Sequence, residues 1–263
     1  AALELRITKA LLNNLGGLLS AAQQLNLSAG SLNNSSKGQI SSLGDMQLSL
    51  AGDLNNSQQG LIGSQAKLRI DAAHIDNHDQ GELSSAGALQ LKGSSLNNQD
   101  GLVVSDASLD LETSGLLDNS QQGVLAAGAA FSLKAGQLLN RNKGLIQGDA
   151  GMQATIQGAF DNSAGTLLTG SDLLLVSGSL DNSSGKLSSG GPLTLTSGAL
   201  NNAKGLLASG ASAGVSRVNS SSLNNDAGTL SSQGGLHLVS GAASSRDGGV
   251  IVTAGQLQLQ ADS

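Results

Sequence analysis

The stretch Leu54-Asn55-Asn56-Ser57-Gln58-Gln59-Gly60-Leu61-Ile62 decides the fold, because the chain returns to it eleven times. An apolar residue, an Asn or Asp, a second Asn, a small polar turn, a Gly and an aliphatic pair follow one another. The second Asn falls at Asn14, Asn34, Asn56, Asn77, Asn98, Asn119, Asn140, Asn162, Asn182, Asn202 and Asn225. That is 211 residues over ten intervals, about 21 per repeat. A fixed period of this length marks a stack of small units, each touching only its neighbours.

Between the second Asn and its Gly the offset is three residues at Asn14–Gly17 and four at Asn34–Gly38. Tolerance of an insertion marks a surface turn. Two residues past each Gly stand Leu19, Ile40, Ile62, Leu83, Val103, Leu125, Ile146, Leu167, Leu187, Leu207 and Leu230, all aliphatic. The residue before each is mixed, with Gln39, Glu82, Thr166, Lys186 and Thr229 among them. One column is buried and its neighbour solvated, which is strand behaviour. Six and eight residues further on come pairs such as Leu25 and Leu27, Met46 and Leu48, Leu68 and Ile70, and, by the same count, Ala213 and Val215. A spacing of two places both on one face of a second strand.

A helix does not fit. There are 37 Gly, more than one per repeat, and each inside a helix costs about 1 kcal/mol relative to Ala. The expected fold is all-β: a right-handed parallel β-helix of about twelve coils of about 21 residues. About four buried aliphatic side chains cannot offset the ordering of one coil alone, so stability must accrue through coil–coil interfaces. At ~4.8 Å per strand, twelve coils form a rod roughly 55–60 Å long.

Two places break the pattern. The repeat between Asn202 and Asn225 lengthens to 23 residues, so a bulge or protruding loop is expected over 211–222. After Leu238, Ala243-Ser244-Ser245-Arg246-Asp247-Gly248-Gly249 replaces Leu-Asn-Asn, and the strand register resumes at Ile251. That twelfth turn has lost its Asn but keeps its coil. The opening Leu3, Leu5 and Ile7 read as the tail of a preceding repeat. Residues 1–263 are therefore expected to be a single β-helix repeat segment of a longer chain.

Composition fits a narrow interior of identical layers. There are two Phe and no Tyr or Trp, 1% aromatic in all. With no Cys, disulfides and thiolate metal sites are excluded, which an extracellular repeat stack can do without. A net charge of −6, spread along the chain, disfavours nucleic acid as a partner.

The second Asn of each pair is invariant, whereas the first accepts Asp76, Asp118, Asp161, Asp181 and once Leu139. The first position therefore reads as solvated. An amide carries donors and an acceptor together, so stacked copies can bond along the axis; stacked carboxylates would repel. Asn also tolerates the left-handed backbone of a corner. All eleven second Asn residues are expected to form an internal structural ladder. The competing reading is a row of amides open to a ligand such as a glycan.

Chemistry-bearing residues are sparse. His74 and His78 flank the corner at Asp76-Asn77 and, with Asp79, could hold a weakly bound metal; solvated turn residues are the plainer reading. His237 lies between inward Leu236 and Leu238 and should point outward. Acidic residues show no recurring pair, and the Gly-Gly-x-Gly-x-Asp calcium repeat is absent. Ser183-Ser184-Gly185-Lys186 is a chance Ser-x-x-Lys match, with Lys186 in the outward column. Pro192 punctuates the start of a strand. No catalytic, cofactor or metal residue is assigned. Sugar-stacking platforms need Trp or Tyr, and neither occurs.

The unit Leu-Asn-Asn-x(2–3)-Gly-x-aliphatic, seen at Leu96-Asn97-Asn98-Gln99-Asp100-Gly101-Leu102-Val103 and Leu180-Asp181-Asn182-Ser183-Ser184-Gly185-Lys186-Leu187, resembles the repeats of filamentous haemagglutinin-like exoproteins. The resemblance covers nearly the whole chain. The family includes adhesins and contact-dependent growth-inhibition toxins of Gram-negative bacteria, exported by a two-partner route. It implies a right-handed parallel β-helix forming a filament on the cell surface, with an outer-membrane transporter as export partner. Absent Cys and scarce aromatics suit export of an unfolded chain.

Three functions follow from this reading. The first is a non-catalytic shaft of a secreted surface exoprotein that presents or helps deliver a terminal effector, with the growth-inhibition branch slightly favoured. The second is an adhesin module binding a host or target-cell surface receptor, for which 211–222 is the best site. The third is a polysaccharide-cleaving β-helix enzyme, which would need an acidic or basic cluster on one face that the sequence lacks.

Overall fold

The computed structural model describes residues 1–7, 10–210 and 214–262. Every strand pairing is parallel and, among the described residues, there is no helix. A representative coil runs through the strands Leu61–Ser64, Leu68–Asp71 and His74–Asp76 before its successor begins at Glu82–Ser85. The first strands of the coils stack into one twelve-stranded sheet, from Leu18–Ala21 to Val250–Thr253. The second and third strands form the other sheet, of twenty strands. From Met152–Asp161 onward the second and third strands run together into single long strands, as in Leu173–Asp181 and Leu193–Asn201. The fold is thus a β-solenoid of twelve coils, stacked about 21 residues apart: Ile62 pairs with Leu83 and Leu68 with Leu89.

The interior is built from the expected columns. Ile40, Ile62, Leu83, Val103, Leu125, Ile146, Leu167 and Leu187 are all fully buried, as are Leu25, Leu48, Ile70, Leu111 and Leu175 from the second strands. The apolar residue that opens each Leu-Asn-Asn supplies a further column, from Leu32 and Leu54 to Phe160 and Leu200. Each coil therefore contributes about four large side chains to a continuous core. Leu3 and Leu5 pair with Leu25 and Leu27, so the opening residues occupy second-strand positions. Strand Leu193–Asn201 starts directly after Pro192.

A column of hydroxyls, hidden in the sequence among many other serines, lines the corner between first and second strands. Ser42, Ser64, Ser85, Ser105, Ser189, Ser209 and Ser232 are buried at equivalent positions. Ser64 Oγ donates to Gly44 O at 2.9 Å and accepts from the Ala66 amide at 3.0 Å. Ser42, Ser85, Ser105, Ser189 and Ser232 likewise bond backbone groups that the bend takes out of the sheet, whereas Ser209 bonds the Ser216 and Ser232 hydroxyls.

The long repeat departs from expectation. No loop spans 215–222: those residues lie in strand Val215–Asn224, while 211–213 fall outside the described residues. The inward pair is Ser216 and Val218, 2% and 1% exposed, stacked on Leu236 and Leu238, whereas Val215 is 40% exposed. The extra residues precede the strand and push the inward pair three positions on. Val218 stands five residues before Leu223, the same step as Leu195 to Leu200. In this repeat the inward pair is in step with the Asn corner that follows, not with the Gly that precedes.

The left-handed residues are not the Asn residues themselves. Where the offset from Asn to Gly is four, two residues before the Gly have positive φ, as at Gln58 (54°) and Gln59 (64°). Where it is three, only one does, as at Asp100 (54°) or Ala164 (52°). Each inserted residue is absorbed as one more left-handed residue, and the corner on either side is unchanged.

Candidate functional site

The invariant Asn residues stand at the corner between a third strand and the next first strand. All from Asn34 to Asn225 have 0% exposure, and only Asn14, at the first coil, is part-exposed. Each Nδ2 donates to Oδ1 of the equivalent Asn one coil on. The series runs Asn14–Asn34 (2.7 Å), Asn34–Asn56 (2.8 Å), Asn56–Asn77 (2.8 Å), Asn77–Asn98 (2.8 Å) and Asn98–Asn119 (2.7 Å). It continues through Asn119–Asn140 (2.8 Å), Asn140–Asn162 (2.8 Å), Asn162–Asn182 (2.7 Å), Asn182–Asn202 (2.8 Å) and Asn202–Asn225 (2.8 Å). Asn225 donates to Ser245 Oγ at 3.1 Å, the hydroxyl that stands where the twelfth coil lacks its Asn.

The remaining amide hydrogen is also used. Asn56 Nδ2 reaches Gly60 O at 3.1 Å in its own coil and Glu82 O at 2.9 Å in the next. This geometry fixes the Gly as well. A Cβ on Gly60 would lie 2.5 Å from Asn34 O and 2.6 Å from Asn56 Oδ1, and on Gly101 it would lie 2.1 Å from Asn77 O. Those Gly residues have ordinary φ; they are needed for close approach rather than for backbone freedom.

The first member of the pair is exposed at Asn13 and Asn224, but it is half-buried in the coils between them and only 8% exposed at Asp118, so this position is not simply solvated. Its side-chain oxygen accepts from the amide two residues on: Asn55 Oδ1 from Ser57 N at 3.0 Å, Asp118 from Ser120 N at 3.0 Å and Asp181 from Ser183 N at 2.9 Å. This Asx turn needs only an acceptor, so Asp and Asn serve equally. The inner position needs donors too.

Other chemistry is thin. His78 Nδ1 lies 2.5 Å from Asp76 Oδ1, and its Nε2 lies 3.3 Å from Asp79 Oδ2. His74 turns instead to Ser95 Oγ at 2.8 Å. The two imidazoles do not converge and, among the described residues, no group of three metal-ligating side chains forms. His237 is part-exposed between buried Leu236 and Leu238, and Lys186 is exposed. Asp226 has its carboxyl held below the usual range, chiefly by the Ser244 hydroxyl at 2.5 Å and next by the Arg246 amide at 2.8 Å. Both aromatic side chains, Phe131 and Phe160, are 1% exposed, so no aromatic face is offered to a ligand.

The haemagglutinin repeat family model matches residues 1–58, 47–113, 104–164, 153–212 and 211–261, end to end over the coils that carry the Asn column. No curated protein and no solved structure matches the chain. Parallel coils of about 21 residues, one Asn corner per coil and five consecutive family matches agree: the chain belongs to the haemagglutinin repeat family, as a filamentous haemagglutinin-like β-helical repeat region.

Proposed function

We propose that this chain is a non-catalytic shaft within a longer, secreted bacterial surface exoprotein, giving reach to an effector or binding tip carried elsewhere in that protein. Family membership supports a structural filament of a secreted, adhesin-like protein. The observation that carries the shaft reading is the unbroken Asn column, whose amides bond to backbone, to one another and, at its last member, to the Ser245 hydroxyl. Every buried amide is occupied from within, so the column serves as a structural seam. A ligand-binding row would leave donors facing solvent.

Between the two branches we favour delivery of a growth-inhibiting effector, with a two-partner outer-membrane transporter as export partner. The surface-binding alternative rests on 211–222, and over 215–222 that stretch is strand. Deleting whole coils in frame from the parent exoprotein and measuring killing of susceptible neighbours tests the proposal. Loss of killing, with surface display intact, is the expected result. Undiminished killing by a shortened shaft refutes it, and loss of host-cell binding alone would favour the adhesin reading.

A further inference from the structure

The twelve-stranded sheet turns an unusual face outward. Its strands alternate half-exposed and buried, so their first and third residues point away from the core. Of those 24 outward positions only two are charged, Glu82 and Lys186. The outward face of the neighbouring sheet carries Arg69, Asp71, Lys92, Asp110, Glu112 and Lys134 over coils of the same region. Between its two charges the first-strand face is mostly aliphatic: Leu102, Val104, Val124, Ala126, Leu145 and Leu168 are all part-exposed. A flat apolar strip of this kind marks an interaction surface.

The two charges lie on one register line. Glu82 pairs with Leu102, Leu102 with Val124, Val124 with Leu145, Leu145 with Thr166, and Thr166 with Lys186. In the twelve-strand stack Glu82 sits on the fourth strand and Lys186 on the ninth, equidistant from the midpoint between Val124 and Leu145. A two-fold axis through that midpoint, lying along the strands, brings two copies face to face with their rods antiparallel. It returns the register line onto itself with fourth and ninth strands exchanged. Glu82 of each copy then meets Lys186 of the other, and Val124 meets Leu145. A parallel arrangement would instead place Glu82 beside Glu82 and Lys186 beside Lys186.

We propose that this face is a self-association surface, forming an antiparallel, two-fold symmetric dimer of rods registered by the reciprocal Glu82–Lys186 pairs. An isologous interface needs a self-complementary patch, and this distribution supplies one. A strip four residues wide and twelve strands long covers roughly 700 Å² per copy, close to the ~800 Å² per partner of a stable interface. Apolar contact provides the attraction, and the charges choose the register.

Equilibrium sedimentation of the isolated chain is the test, with circular dichroism confirming that each variant keeps its β fold. The wild type should form a dimer. Glu82→Lys and Lys186→Glu, each alone, should weaken it by about tenfold or more by placing like charges in contact. The double exchange should restore it. The chain has no Cys, so a spin label at Gln233→Cys, in an exposed corner, reports direction: roughly 40–45 Å between labels if antiparallel, under about 20 Å if parallel. A wild type that stays monomeric overturns the proposal. So does a dimer indifferent to both single exchanges, a double exchange that fails to rescue, or a short label distance.

Discussion

Replacing Asn98 with Asp changes one NH₂ to an oxygen at a site with 0% exposure. The wild-type amide accepts from Asn77 Nδ2 at 2.8 Å, and donates to Asn119 Oδ1 at 2.7 Å, Val124 O at 3.0 Å and Gly101 O at 3.2 Å. The Asn98→Asp variant keeps the accepted bond but points a carboxylate oxygen at three acceptors. An uncompensated buried charge costs about 3–5 kcal/mol at neutral pH. Asn98→Ala removes donors and acceptor alike. It strands Asn119 Oδ1, while Asn77 Nδ2 keeps Gly81 O and Leu102 O, so the cost is nearer 1–3 kcal/mol. The two variants differ in their response to pH. Burial among acceptors raises the pKa of the introduced carboxyl above its unfolded value of about 3.9, so the acid is tolerated below that value. The deficit then opens as pH rises through the folded pKa. Protonated, the acid regains one O–H donor for Asn119. Denaturant midpoints of both variants, followed by circular dichroism from about pH 3 to 8 and referred to wild type, are the assay. The Asp variant should fall below Ala at neutral pH and recover in acid. A parallel, pH-independent deficit for both would refute the donor argument.

Gly101→Ala should destabilise by about 1–3 kcal/mol through overpacking against Asn77 O. Gly151→Ala, whose Cβ would find its nearest neighbour at 3.5 Å, should be nearly silent in the same denaturation assay. Removing residues 98–118 joins Asn97 to Asn119 and deletes one whole coil, because Asn97 and Asp118 are stacked partners. The shortened chain should keep its β dichroism and lose about 5 Å of rod length by small-angle scattering. Val218→Asp should unfold the coils around it, whereas Val215→Asp should leave the denaturation midpoint within error; the reverse result would reinstate the register counted from the preceding Gly. Asp226, with its pKa lowered in the folded state, contributes stability that is present above its unfolded pKa and lost as pH falls through the folded one. The protection factor of the Arg246 amide, its exchange rate referred to the intrinsic rate at each pH, should therefore fall in acid, and Asp226→Asn should abolish that dependence.

The repeat is legible because burial and period agree: Ile62, Leu83 and Val103 are aliphatic in the same slot, and all three are fully buried. Other features escape a reading of the sequence for physical reasons. The 23-residue repeat offers two Val candidates, and counting forward from its Gly chooses Val215 when the Asn corner downstream sets the register of Val218. Asn is the residue type that best tolerates left-handed backbone, yet that backbone falls on Gln58, Gln59 and even Ala164, because the turn length dictates conformation whatever the side chain. The hydroxyl column at Ser64, Ser85 and Ser105 does not stand out among so many serines; only its strict place two residues past the buried aliphatic distinguishes it. The outward face of Leu102, Val124 and Leu145 is visible in the sequence as a mixed column but carries no meaning until the stack aligns Glu82 with Lys186.

The ladder also has a direction. Every Asn from Asn14 to Asn225 donates forward, both to the next corner and to the opening carbonyl of the next first strand: Asn34 to Leu61 O, Asn98 to Val124 O, Asn182 to Leu206 O and Asn225 to Val250 O. None donates to the corner of the preceding coil. A partly built stack is therefore asymmetric. Its amino-terminal end shows an amide oxygen wanting a donor, and its carboxy-terminal end shows N–H groups wanting acceptors. Buried N–H groups are the costlier to leave unpaired. The step that satisfies them is the arrival of the next coil in sequence, so growth from amino to carboxy terminus completes the amide of the coil already in place. Ser245 accepts from Asn225 as an Asn would, but its single hydroxyl cannot both donate onward and brace the following strand as an amide does. Coil twelve thus receives the ladder from Asn225 without passing it on as an amide would.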